Sequence, residues 1–306
     1  MPNKILITGI SGFLGSQIAK QLILQGHEII ATKRPSSVLW RCQDFSNEIT
    51  WIILEEPNWQ TKIIEFQPQI IINTAWSGVS ASDRDDWDIQ LSNIEFTLKL
   101  LQIAKQCKSK KFIGFGSQAE YGNFSGVVDE NYPLNPNSAY GSSKIAISHI
   151  IKDFCSINKI SWCWFRLFSF FGELEDSSWF IPTLIDKISS LQKMDMTPGE
   201  QKYAYMYVGD LARILGKLVV TDINPGIYNI SSSKAISLLE LTNKILEIIN
   251  PTESKINFGS IPYRANQSMH IQGSNLKLET EIGEKIEEID FIDALNKVIN
   301  YKINKH

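Results

Sequence analysis

Tyr140 and Lys144, four residues apart, are the pair in this chain best suited to moving a proton. With Ser138 capping a helix that runs on through Ile145, Ala146 and Ile150, positions i and i+4 lie on one face. A phenol and an ammonium then stand side by side. A free tyrosine, with a pKa of about 10, is a poor acid or base at neutral pH. A lysine charge ~4–6 Å away, at an effective dielectric of ~20, favours the phenolate by roughly 3–4 kcal/mol. That brings the phenol towards the range where proton transfer is most useful. Ser117 ends an apolar strand over Lys111 to Gly116, so its hydroxyl can bond the same oxygen that Tyr140 protonates.

The elements that must position these groups begin at the N-terminus. KILITGISGFLGSQIAKQLILQG reads as a strand, a glycine-rich turn and a helix ending at Gly26. Gly9 permits the tight turn, Gly12 lets backbone approach a diphosphate, and Gly15 allows close helix–strand packing. The helix N-terminus adds N–H groups and a positive dipole, so the turn predicts dinucleotide binding. The second strand, HEIIAT, ends in Lys33, Arg34, Pro35, Ser36 and Ser37, with no carboxylate before Asp44. An NAD site usually presents Asp or Glu there for the ribose hydroxyl. Two cations and two hydroxyls suit a 2′-phosphate instead, so NADP is expected and NAD less so. The alternative is a solvated basic turn.

WIILEEP and PQIIINTA give the third and fourth strands, with a short helix near Trp59 to Phe66 between them. The Trp-marked loop after Ala75 follows a strand's carboxyl end, where such sheets bind ligands. A helix over about Asp88 to Cys107 comes next, with Asn93 either capping it or bridging it to the active-site strand. KKFIGFG and ISWCWFRLF complete a doubly wound α/β sheet, and GIYNIS is one more short strand. MDMTPGEQKYAYMYVGDLARIL and the C-terminal helices read as a smaller lobe. Arg264, beside Tyr263 in a loop, is either a phosphate clamp or a surface residue. At 306 residues with 43% apolar and 21% charged content, the chain fits one large domain or one large and one small. A net charge of −3 gives no reason to expect nucleic acid or anionic membrane as a partner. No apolar run approaches the ~18 residues of a membrane span, and MPNKILITG lacks a signal peptide's cleavage region. The four cysteines show no metal spacing and read as free thiols of a cytoplasmic protein.

These motifs together resemble the extended short-chain dehydrogenase/reductase superfamily, in its nucleotide-sugar epimerase, dehydratase and reductase branch. The family's TGxxGFLG is Thr8–Gly15, its Asn-x-x-x-Thr is Asn93 to Thr97, and its S-x-x-x-YG is Ser117 to Gly122. Its YxxxK is Tyr140 to Lys144, its sixth strand Phe165–Gly172, its Y-V-x-D-L-A Tyr207 to Ala212, and its GxYNIS Gly226 to Ser231. The resemblance implies a Rossmann fold over residues 1–168, with 203–231 returning to it and a substrate lobe from 169–202 and 232–306. It implies cofactor contacts at Gly9, Ser11, Gly12, Phe13, Leu14, Gly15, Lys33, Arg34, Ala75, Asn93, Phe168, Tyr140 and Lys144. Catalysis falls to Ser117, Tyr140 and Lys144. Trp76, Ser77, Val79, Gln118, Ser169, Phe180 and Arg264 are positional candidates for the nucleotide-sugar site. Relatives often form homodimers through their fourth and fifth helices, and the apolar faces of 88–107 and 138–156 permit that.

Departures from the family narrow the activity. Dehydratases usually carry an acid pair directly after the strand-five Ser/Thr; here those positions hold Gln118 and Ala119, and Glu120 falls one place late. Ser169 stands where an Asn usually helps hold the diphosphate, and the family's later Arg is missing near Lys202 and Tyr203. The expected reaction is NADPH-dependent reduction of a 4-keto-6-deoxy nucleotide sugar. A 4-epimerase with retained NAD uses the same three residues, and a dinucleotide-sensing regulatory protein is the non-enzymatic reading.

Overall fold

Consecutive apolar residues fold here into parallel strands buried on both faces. The structure, a computed structural model, describes residues 2–80 and 82–304, which leaves Ala81 of the Trp-marked loop outside. Strands β1 (Lys4–Thr8), β2 (Glu28–Lys33), β3 (Ile49–Ile53), β4 (Ile70–Asn73) and β5 (Lys111–Ser117) alternate with helices α1 (Phe13–Leu24), α2 (Trp59–Phe66), α3 (Trp87–Gln106) and α4 (Ala139–Ile157). After β5 come the short β6 (Gly126–Val128) and the long β7 (Ser161–Leu167). The main sheet has seven strands in the order Gly226–Ile230, β7, β5, β4, β1, β2, β3, every neighbouring pair parallel. Strand order reverses beside β1, so the crevice beyond the ends of β1 and β4 is the topological switch point, where such sheets take ligands.

Side-chain alternation sends Ile5 and Ile7 to one face and Leu6 to the other, all fully buried. On the first face Ile18, Ala19 and Leu22 of α1 pack with Leu211, Leu215 and Leu218 of the helix Val208–Val220. On the second, Leu100, Leu101 and Ala104 of α3 pack with Ile147, Ile151 and Cys155 of α4. Lys111 fastens the start of β5 by donating to the carbonyls of Leu218, Val219 and Thr221, the C-terminal end of that helix, where a cation is favourable.

A third apolar cluster joins Ile181, Leu184 and Ile185 to Leu241, Ile245, Leu295 and Val298, from the helices Phe180–Ser189, Leu238–Ile249 and Phe291–Asn304. Lys202–Tyr203 joins a second sheet, and Tyr203, Tyr205 and Tyr207 pack against this third cluster, before the chain comes back to the main sheet. Met206–Tyr207 pairs with Phe170–Phe171, Val208–Val220 packs on α1, and Gly226–Ile230 edges the main sheet. The proline-broken loop after β5 contains more order than expected, because β6 pairs with Ile271–Gly273 in that second, four-stranded sheet. Three residues are too few to show alternation, and their partner lies far along the chain. No helix among the described residues is long and apolar enough to cross a membrane.

Candidate active site

The glycine turn is fixed by contacts that admit no side chain. Gly9 has φ +71, and a Cβ there would stand 2.5 Å from the Ala75 nitrogen at the end of β4. A Cβ on Gly15 would stand 2.4 Å from the Gly9 carbonyl oxygen, so α1 crosses the turn at close range. Gly12 is the α1 N-cap, with no side chain bonding the first helical N–H groups, and it is exposed. Unpaired N–H groups, a helix dipole and a side-chain-free approach fit a dinucleotide diphosphate. Thr8 Oγ1 donates to Asn73 Oδ1 (2.6 Å), and Asn73 Nδ2 donates to Thr97 Oγ1 (3.0 Å), which locks the switch point to α3. Asn93 is neither the α3 cap nor a bridge to β5: it ties α3 to the loop after β4. Its side chain accepts from Ser77 N and donates to Ser77 O, while Asp86 caps α3 through Ile89 N.

Ser117 closes β5 in extended conformation and starts a single 3₁₀ turn, Gln118–Glu120. Its hydroxyl accepts from Ala119 N and lies near enough to the Tyr140 phenol to favour the phenolate. Glu120, fully buried, accepts from Ser117 N (3.0 Å) and Trp164 Nε1 (3.0 Å) through one oxygen, and from Arg166 Nε (2.6 Å) through the other. Arg166 passes the chain on to the Tyr121 hydroxyl, which donates to Asn229 Oδ1. Both Glu120 oxygens are therefore engaged by protein donors. A charged residue in an apolar strand needs such a partner, and Arg166 within WCWFRLF was its sequence signal.

Ser138 caps α4 through Gly141 N as expected (3.1 Å). The same helix start is tied to the Trp-marked loop, since Ala139 N donates to Asp85 Oδ1 and Tyr140 N to Arg84 O. Tyr140 and Lys144 are both buried, 8% and 5% exposed. Lys144 Nζ donates to the Phe115 carbonyl (2.7 Å) and lies 3.5 Å from the Trp76 ring centroid and 5.6 Å from that of Tyr140. Trp76 meets Tyr140 edge-on and is itself held by Gln90 (2.9 Å). Burial pushes the Lys144 ammonium down to about 7, partly offset by Glu120. Burial also raises the Tyr140 phenol, while the Ser117 hydroxyl and the Arg84 charge pull it back. The expected pairing therefore needs correcting. A lysine removed from water gives up much of its own charge before it can lower a neighbour's pKa.

The remaining candidates fall around this centre unevenly. Ser11 accepts from Arg41 through its carbonyl, Phe13 stacks on Phe170, and Leu14 packs into the first apolar cluster. At the end of β2, Lys33 Nζ sits 5.2 Å over the Trp51 ring, and Arg34 is exposed in a turn closed by Ser37. Phe168 turns its ring into a buried cluster with Tyr121 and Phe124, so only its main chain is left to meet a cofactor. Gln118 carries a buried Oε1 with no partner, and Val79 is exposed. The Ser169 carbonyl accepts from Met206 N, and Phe180 opens its helix against the third cluster. Arg264 is exposed and acts on Tyr203 rather than on the Ser117–Tyr140–Lys144 group. Sequence reasoning singled out the loop but not Arg84 within it, which lies 5.1 Å from the Tyr140 ring centroid, because no local spacing links a loop residue to a helix more than fifty positions on.

The parallel sheet with a glycine turn at its switch point, and Ser117 beside a buried Tyr–Lys pair, define a nicotinamide-dinucleotide enzyme fold. The chain belongs to the NAD dependent epimerase/dehydratase family, an extended short-chain dehydrogenase/reductase group, whose profile matches residues 5–231. It is 23% identical over 277 residues to the dTDP-6-deoxy-L-talose 4-dehydrogenase (NAD(+)) of Aggregatibacter actinomycetemcomitans, covering 88% of this chain and 99% of that one. It is 26% identical over 290 residues to the CDP-abequose synthase of Salmonella muenchen, covering 92% of each. Among solved structures, the UDP-glucose 4-epimerase of Thermotoga maritima superposes with a TM-score of 0.86 at 19% identity, covering 99% of both chains. The UDP-N-acetylglucosamine 4-epimerase of Methanobrevibacter ruminantium gives 0.87 at 20%, covering 100% of this chain and 99% of that one.

Proposed function

We propose that this protein is an NADPH-dependent reductase of a 4-keto-6-deoxy nucleotide sugar, working in deoxysugar biosynthesis. The observation that carries the reading is the buried Tyr140–Lys144 pair beside the switch point, with the half-buried Ser117 next to the phenol. NADPH, when bound at the glycine turn, supplies the hydride that goes to the carbonyl carbon. Tyr140 gives its proton to the carbonyl oxygen, and Ser117 polarises that oxygen. Lys144 orients the nicotinamide ribose. The burial of both groups keeps water from competing for the proton. Two engaged oxygens on Glu120 support reduction over dehydration. The 4-dehydrogenase relative, by its name, performs redox at the same sugar carbon.

Trp76, Ser77, Val79 and Gln118 line the sugar side of the reading, and the lobe of residues 169–202 and 232–306, with Ser169, Phe180 and Arg264, holds the nucleotide diphosphate. Exposed Trp87, Leu91 and Leu98 on α3 support a homodimer through α3 and α4. A retained-NAD 4-epimerase is the second reading, favoured by Arg41, which bridges the glycine turn at Ser11 to Leu174 and would slow cofactor exchange.

Cofactor choice separates the two. The 2′-phosphate of NADPH meets Lys33, Arg34, Ser36 and Ser37, where no carboxylate offers a ribose bond. NADPH is expected to bind at least ~10-fold tighter than NADH, at roughly 1.5–3 kcal/mol per charge-assisted contact. Lys33→Ala with Arg34→Ala should shrink that preference by weakening NADPH alone, as read by fluorescence titration of both reduced nucleotides. Equal affinities, or stoichiometric NAD carried through purification, would favour the epimerase. Arg264→Ala is expected to raise KM for the nucleotide sugar by roughly 10-fold or more with kcat little changed, the pattern of lost uniform binding. A KM within about twofold of wild type, under 0.5 kcal/mol, would return Arg264 to the surface.

A further inference from the structure

We propose that Arg84 is the cation that poises Tyr140 for proton transfer, a positioning role exercised through the phenol. The proposal rests on Tyr140 as the proton-transfer group. Arg84 Cζ lies 5.1 Å from the Tyr140 ring centroid. Its position is set by the same bonds that start α4. The Arg84 carbonyl accepts from Tyr140 N (2.8 Å), and Asp85 Oδ1 accepts from Ala139 N (3.1 Å). Arg84 Nε donates to the Val79 carbonyl (3.0 Å), which turns the guanidinium back over the loop that carries it. Gln90, fully buried, holds the loop by donating to the carbonyls of Gly78 and Asp83. The loop and the catalytic helix are therefore one hydrogen-bonded unit.

The charged groups facing Tyr140 leave Arg84 as the dependable positive one. On the loop, Asp85 is engaged by a backbone N–H. Below β5, Glu120 is ion-paired with Arg166, and its charge acts on the phenol in the opposite, upward direction. On α4 itself, Lys144 is driven down to about 7 by burial and lies against Trp76, so near neutral pH it carries only part of a charge. A guanidinium keeps its full charge at any working pH. Arg84 is half-buried and is in no ion pair among the described residues, with Asp83, Asp85 and Asp86 flanking it in the chain. Its direction on the phenol is downward, against the upward pull of burial and of Glu120. When Tyr140 passes its O–H proton to the substrate oxygen, the phenolate left behind faces a fixed cation. In the reverse direction the same cation favours the phenolate that accepts the proton.

The test titrates the tyrosinate ultraviolet absorbance of the folded protein and isolates Tyr140 as wild type minus Tyr140→Phe. Arg84→Met should move that titration upward by about one pH unit, a tenfold loss of acidity, for one charge at roughly 6 Å in a partly solvated site. Arg84→Lys should restore most of it, and the ascending limb of the pH–rate profile for alcohol oxidation should move with it. The main-chain carbonyl that starts α4 survives both substitutions, and Arg84→Gln gives a polar check on folding. A titration within about 0.2 pH unit of wild type in Arg84→Met, or Arg84→Lys behaving as Met does, overturns the proposal. Retained turnover in Tyr140→Phe would instead overturn the reductase reading, and the absorbance titration would still report on Arg84.

Discussion

Tyr140→Phe is expected to lower kcat by roughly 10²–10⁴-fold, the range for loss of a positioned general acid. The substitution removes one oxygen and leaves the ring in its contacts. Trp76 still meets the ring edge-on, Arg84 still covers its face, and the backbone bond to Arg84 is untouched. Folding and cofactor affinity should therefore hold while the chemical step fails. Because Tyr140 is 8% exposed, water has little room to enter and substitute for the lost hydroxyl. Single-turnover reduction of a keto-sugar, with cofactor titrated separately, measures the two effects apart. A variant that keeps more than about a tenth of wild-type kcat, a barrier change under ~1.4 kcal/mol, removes Tyr140 as the donor.

Arg166→Ala is expected to destabilise the fold by roughly 3–5 kcal/mol, because it strands a buried carboxylate. Glu120 and Arg166 are 0% and 2% exposed, and their contact is the centre of a chain running from Ser117 N to Asn229. With the guanidinium gone, Glu120 keeps only neutral donors, Trp164 and the Ser117 amide. Tyr121 also loses a donor in a cluster with no water to replace it. Urea unfolding of the variant should show a lower midpoint at unchanged slope. Glu120→Gln combined with Arg166→Met removes both charges and should recover part of the loss. If Arg166→Ala unfolds within about 1 kcal/mol of wild type, the network contributes little to the fold.

Strands and helices of the doubly wound half were legible because parallel strands buried on both faces are written as unbroken apolar runs, such as Ile5–Ile7 and Ile70–Ile72. The glycine turn was legible because only Gly fits at Gly9 and Gly15. The Ser117 strand end and the Ser138 cap followed from local spacing. Contacts between distant segments left no periodic trace. Arg84 reaches Tyr140 across a loop, Glu120 finds Arg166 across two strands, and β6 finds Ile271–Gly273. The state of Lys144 escaped for a different reason. Spacing reveals which groups are neighbours, but desolvation depends on what surrounds both, here Trp76, Phe115 and Trp164.

The main sheet is completed out of chain order, and that has a cost during synthesis. β7 pairs with β5 on one side, but its other edge stays open until Gly226–Ile230 arrives. Until then a seven-residue strand, SWCWFRL, offers a row of unpaired amides along one of the most apolar runs in the chain. Such an edge is a template for pairing with another molecule. The helix Phe180–Ser189 must also leave the ribosome before that edge is covered. Chains stopped short of Gly226 should therefore accumulate as aggregates, and chains that reach past Ile230 should not.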